Sequence, residues 1–123
     1  MRGRFWLGPD GMGRTRRRRV VWTETARGDV DRLTAYLFVE APLRAERIVD
    51  EILMRAETLA VSSARGRQVP ELRWVGGRTW REIQHPPWRI VYRITTGGVA
   101  EIHAVLDGRR HLEDILLERM LQE

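Results

Sequence analysis

The chain of 123 residues contains neither cysteine nor lysine. The first absence excludes disulfides, thiolate zinc sites, iron–sulfur ligation and thiol nucleophiles. The second excludes Schiff-base, Walker-type and lysine general-base chemistry. All 22 basic residues are therefore arginines, and cationic recognition here means recognition by guanidinium. No apolar run approaches the roughly 18 residues that a membrane span requires. What remains is 42% hydrophobic and 32% charged, enough for one modest core in one domain.

The net charge of +5 is unevenly placed. Residues 1–19 hold seven Arg against Asp10, a net of +6, and the remaining residues sum to −1. That leader has four Gly, one Pro and no periodicity, so it reads as a flexible Arg-rich arm ahead of a near-neutral domain over 20–123. It lacks the apolar segment and cleavage site of a secretory signal, and Met12 offers an alternative start. Removing residues 1–11 is expected to leave folding intact, and removing Arg14 to Arg19 to change only salt-sensitive binding.

Arg19 to Trp22 reads as a first strand. Thr23 offers an N-cap, and Ala26, Val30, Leu33 and Leu37 then line one face of a helix running to about Glu40. Pro42 is placed to start a second helix, whose Ala45, Ile48, Val49, Ile52, Leu53, Ala56 and Leu59 form an apolar stripe. The two should pack as an antiparallel hairpin. After the Arg65-Gly66-Arg67 connector, four strands are expected at Leu72 to Val75, Arg78 to Gln84, Trp88 to Thr95 and Val99 to Leu106. Their short Gly and Pro connectors favour an antiparallel sheet, and Leu112, Ile115, Leu116 and Met120 mark a short C-terminal helix. The fold class is α+β: N-terminal strand, helical hairpin on an antiparallel sheet, C-terminal helix.

Trp22, Trp74, Trp80 and Trp88 all fall on these strand segments, which predicts packing against the hairpin, with Trp80 and Trp88 paired across one turn. Arg81, Arg89, Arg93, Arg109 and Arg110 lie on adjacent strands or at the last strand's exit. Converging, they would hold phosphates or carboxylates by forked hydrogen bonds; alternatively they pair with Glu82 and Glu101 on a solvated sheet face. His85, His103 and His111 have no carboxylate or thiolate at ligand spacing, so no metal is expected. Ser62-Ser63 lacks the context of a hydrolase nucleophile.

The segments VVWTETARGDVDRLTAYLFVEAPLRAERIVDEI, GRQVPELR, WREIQHPPWRIVYRI and VAEIHAVLDGRR, taken in order, resemble the RelE/ParE superfamily of bacterial type II toxins over residues 20 to about 121. The resemblance implies a cytoplasmic toxin with a cognate antitoxin, in a heterotetramer or higher complex, without cofactor or membrane association. In the RelE-like branch, a metal-independent endoribonuclease acting on messenger RNA in the ribosome, Arg89 and Arg110 match the two family arginines. The lysine pair of that branch falls near Trp80 and Glu82, and its terminal tyrosine near Ile115 or Leu116. The R-E-I and D-G-R-R segments resemble the ParE-like branch, which inhibits DNA gyrase by surface binding and needs no catalytic residue.

The ParE-like reading implies target contacts at Arg81, Trp88, Arg89, Arg93, Arg109 and Arg110. It implies antitoxin contacts at Leu33, Leu37, Ile48, Ile52, Arg89 and Tyr92, on the outer hairpin face and a sheet edge near Arg89 to Arg93. A non-toxic, Arg-rich binding module on the same fold is the third reading.

Overall fold

In a computed structural model, which describes residues 17–74 and 80–121, the chain is a three-layer α+β domain. Strand β1 (Val20–Trp22) leads into α1 (Glu24–Glu40), where the Thr23 hydroxyl accepts a hydrogen bond from the Ala26 amide at 3.1 Å. That bond satisfies one of the amides a helix start leaves unpaired. Pro42 does not open the second helix. Residues 42–44 close a turn, Arg44 N donating to Ala41 O at 3.0 Å, and α2 spans Ala45–Glu57. A short α3 (Leu59–Ser62), a 3₁₀ turn, strand β2 (Arg67–Gln68) and a second 3₁₀ turn (Pro70–Leu72) follow. Then come β3 (Arg81–His85), β4 (Trp88–Ile94), β5 (Ala100–Asp107) and α4 (Glu113–Leu121).

The sheet order is β1-β5-β4-β3-β2. It is mixed rather than antiparallel, because β1 runs parallel to β5. Short connectors dictate antiparallel pairing only between strands they join, and along the chain the helices and three other strands intervene between β1 and β5. Residues 72–74 are not strand either, and Val75, the end of that expected strand, lies outside the described residues. Pro70 starts a 3₁₀ turn that drops Leu72 into the core, and Trp74 is left 84% exposed. Residues 1–16 of the arm expected over 1–19, the Gly76-Gly77 turn and the strand start at Arg78 lie outside the described residues. Arg18 and Arg19 already belong to the fold: Arg18 N donates to Ala60 O at 2.7 Å and its guanidinium to Gly98 O at 3.1 Å, while Arg19 O accepts from Ala100 N at 2.9 Å. Deleting through Arg19 would remove these bonds as well as charge.

Both sheet faces are buried. Leu37 and Ile52 from the hairpin pack on Ile90, Tyr92 and Ile102. The opposite face, solvated in one of the two readings of its arginines, is covered by the Pro70–Leu72 turn and α4, which bring Val69, Leu72, Leu112, Leu116 and Met120 onto Trp80, Val91 and Ala104. Trp80 therefore faces away from the hairpin. It does not pair with Trp88, whose partner across the turn is His85.

A β-bulge in β5 makes the two layers interlock. Tyr92 pairs with Ile102 but Val91 with Ala104, so His103 is the extra residue. Before it, the outward backbone groups of β5 belong to even residues: Ala100 N reaches Arg19, and Ile102 O accepts from Thr23 N. After it they belong to odd ones. His103 O accepts from Arg119 Nη2 at 2.7 Å, and Val105 N donates to Asp29 Oδ2 at 2.9 Å. Arg119 of α4 and Asp29 of α1 also bond each other, at 3.0 and 3.1 Å. One ion pair thus stands where β1 ends and closes the bare flank of β5.

The chain turns tightly at Gly66. Its amide donates to the Tyr92 hydroxyl at 3.1 Å, and that hydroxyl donates to Ser63 O. A Cβ on residue 66 would lie 2.9 Å from Glu82 O and closer still to the Tyr92 oxygen. Gly66→Ala is accordingly expected to cost about 1–3 kcal/mol by overpacking, read as a lower urea midpoint; an unchanged midpoint would refute the tight fit.

Candidate functional site

The five arginines singled out above do not converge. Arg89, on β4, turns toward the 3₁₀ turn and meets two carboxylates there. Its Nη1 and Nη2 donate to Glu71 at 2.8 and 2.7 Å, and its Nε to Glu82 at 2.7 Å. The side chain of Glu82 is fully buried and also accepts from Arg67 and Gln84. The hydrogen bonds Arg89 donates to Glu71 raise its pKa against the effect of burial, with Glu82 adding to them, and the same bonds hold the Glu71 carboxyl below its ordinary range. The pairing reading thus holds for Arg89.

Arg93 is similarly taken: its Nε donates to Glu101 at 2.8 Å, and the guanidinium stacks 5.5 Å above the Trp80 ring. Glu101 also bonds the buried His103 at 2.6 Å. Burial works to raise the Glu101 pKa, but the His103 and Arg93 bonds outweigh it and the net shift is downward. Arg81, on the hairpin side of the sheet, donates to the carbonyls of Gly66 at 2.7 Å and Ala64 at 3.2 Å. All three arginines bond within the fold, Arg89 through Nε, Nη1 and Nη2, Arg81 through Nη1 and Arg93 through Nε.

The depressed carboxyls have a measurable consequence. An unfolded chain takes up protons on Glu71 and Glu101 at the ordinary carboxylate pKa, while the folded chain resists until lower pH. Their contribution is thus complete above the ordinary value and lost as pH falls through the depressed one. The urea midpoint should fall on acidification from about pH 6 to about pH 3, and less so in Glu71→Gln. An acid response identical in the variant would contradict this assignment.

Arg109 and Arg110 lie elsewhere, at the turn after β5. Gly108 N donates to Pro87 O at 2.7 Å, pinning this turn against the Pro86-Pro87 turn between β3 and β4, whose linking peptide is cis. Arg109 forks onto Asp107 at 2.9 and 3.0 Å and lowers the carboxyl's pKa. Arg110 is exposed and lines a groove of about 430 Å³ between α1 and the end of β5, alongside Leu33, Tyr36 and Trp88. A second groove, of about 450 Å³, begins on the other side of Tyr36 and Trp88 and is bordered by Leu37, Ile48, His85 and Arg109. The two arginines matched to the ribonuclease pair thus stand in different surroundings, Arg89 against Glu71 and Glu82 and Arg110 in the groove.

Among the residues expected to meet an antitoxin, Leu37, Ile52 and Tyr92 are core residues, and Leu33 and Ile48 are half buried. The apolar residues that α1, its loop and α2 leave exposed are instead Tyr36, Phe38, Val39, Leu43, Leu53 and Met54. Nor is there a sheet edge at Arg89 to Arg93, since β4 lies between β5 and β3.

Sequence reasoning missed Asp29, Glu71, Arg32 and Tyr36. Asp29 had a signal: an acid three residues after Ala26, on the apolar stripe of α1, calls for a buried partner. For Glu71 there was none beyond its place in the V-P-E-L run.

The structural placements can be set beside known proteins. Residues 20–112 match the family model described as ParE toxin of the type II toxin-antitoxin system, parDE. Among solved structures, one of a chromosomal ParDE toxin-antitoxin system from P. aeruginosa is 22% identical with a TM-score of 0.60, covering 73% of this chain and 95% of that one. The RelBE2 toxin-antitoxin complex from Mycobacterium tuberculosis is similar at 23% identity and a TM-score of 0.55, covering 75% and 92%. Both share the fold. No curated protein matches the chain.

Proposed function

The chain belongs to the ParE toxin family of type II toxin-antitoxin systems, and we propose that it arrests growth in the cytoplasm by binding DNA gyrase through its surface. The observation that carries this reading is the state of Arg89. Phosphoryl-transfer catalysis needs preorganised donors aimed at developing charge. Here the sheet arginine has already spent its donors on Glu71 and Glu82, and a buried carboxylate stands where a phosphate would have to approach. Binding by the exposed end of the molecule, with Trp88, Arg109 and Arg110, needs no such donors. The partner that neutralises it is a cognate antitoxin, two copies on two toxins, laying an amphipathic segment over Phe38, Val39, Leu53 and Met54 on the hairpin.

Purified protein at about micromolar concentration should inhibit gyrase supercoiling, and Arg110→Ala should weaken inhibition several-fold. The point variant is preferable to truncation after Leu106, which would strip Leu112, Leu116 and Met120 from the second core. Unaltered supercoiling would sink the gyrase target. Cuts within codons of translated message would establish the ribonuclease reading instead, and normal growth on induction without antitoxin the non-toxic module.

A further inference from the structure

The groove between α1 and the end of β5 has its charges in two tiers. Its carboxylates are spent. Asp29 lies buried beneath Arg32, Arg119 and the Val105 amide, and Asp107 is chelated by the side chain and amide of Arg109. Its guanidiniums face outward. The Arg32 side chain is 72% exposed and commits one nitrogen to Asp29, and Arg110 makes no hydrogen bond through its side chain among the described residues. A guanidinium carries five N–H donors, so most of those on this rim point to solvent. Between them the floor is apolar, formed by Leu33, Trp88 and Val105, and Tyr36 stands half exposed as a wall.

We infer that this groove is a docking site for an acidic segment of a partner protein that carries one aromatic or large aliphatic anchor. The anchor would lie in the cleft of about 430 Å³ against Trp88 and Tyr36, with room for part of the segment's backbone, and its flanking carboxylates would take forked bonds from Arg32 and Arg110. Charge complementarity commits the occupant to an acid, and a floor in which the Trp88 ring is nearly wholly buried beside Leu33 and Val105 favours an inserted side chain over a stacked base. The same composition, Tyr and Trp ringed by Arg, is that of binding hot spots. This goes beyond gyrase as target, since it fixes the chemistry of the docked segment and not its owner.

The test uses the full chain and a fluorescein-labelled peptide in which Phe and Leu are flanked by Asp and Glu, followed by anisotropy. Saturable binding is expected, weakened at least about tenfold by Arg110→Glu and by Tyr36→Ala. Neither residue is in the core, and an unchanged urea midpoint checks that both variants fold. A peptide with Arg in place of its acids should not bind. Four results would overturn the inference: no saturable binding, equal binding by both variants, displacement of the peptide by a single-stranded oligonucleotide, or a self-association abolished by Tyr36→Ala, which would make a second copy the occupant. Because the peptide readout involves no topoisomerase, intact supercoiling beside good peptide binding would remove gyrase and leave the groove assignment standing.

Discussion

Asp29→Ala should destabilise the fold by about 3–5 kcal/mol, the usual result of removing one partner from a buried ion pair. Asp29 is almost wholly buried and serves three elements at once: its own helix through Arg32, the flank of β5 through Val105 N, and α4 through Arg119. Alanine leaves the Val105 amide without an acceptor and the Arg119 guanidinium uncompensated beside His103 O. Arg119→Leu should cost less, because Asp29 keeps Arg32 and the amide. In a double-mutant cycle the two losses should fall well short of adding. Urea unfolding with an unchanged m value measures all three. A loss under about 1 kcal/mol for Asp29→Ala would mean that water reaches the pair and that it does not join the layers.

Arg89→Met should cost a similar amount, about 3–5 kcal/mol, and for a parallel reason. Without the guanidinium, Glu82 is a fully buried carboxylate left with the Gln84 amide and with Arg67, whose side chain is more than half exposed. Glu71, at the protein surface, can turn to water. The diagnostic variant is therefore Arg89→Met with Glu82→Met, which removes both buried charges and should recover most of the stability, to within about 1–2 kcal/mol of the parent. Recovery would assign Arg89 to the fold. If Arg89→Met kept full stability while abolishing growth arrest, Arg89 would be a functional contact and the structural assignment would be wrong.

The parts of the fold that were legible in the sequence are those where local pattern and tertiary environment agree. Thr23 caps α1, the stripe Ala26, Val30, Leu33 and Leu37 faces the sheet, and the alternation Trp88, Ile90, Tyr92 meets the hairpin. What escaped was settled by long-range contact. An apolar-polar alternation along β4 looks the same whether Arg89 faces solvent or a second layer bringing Glu71. The parallel placement of β1 has no local signature, and neither has the bulge at His103. In the candidate site, the turn carrying Arg109 and Arg110 was visible as D-G-R-R. Its neighbours Tyr36 and Arg32 come from a helix some seventy residues earlier, and only folding brings them together.

The bulge at His103 also limits how a partner can attach. By turning the outward groups of β5 to Asp29 and Arg119, it leaves no row of bare amides beyond Trp22. The outer strands that remain, β1 and β2, are three and two residues long. A sheet with so little free margin offers almost no template for an added strand. Among the described residues, then, a partner is expected to recognise side chains more than backbone, since past β2 the outer flank of β3 runs free only over Ile83, Gln84 and His85.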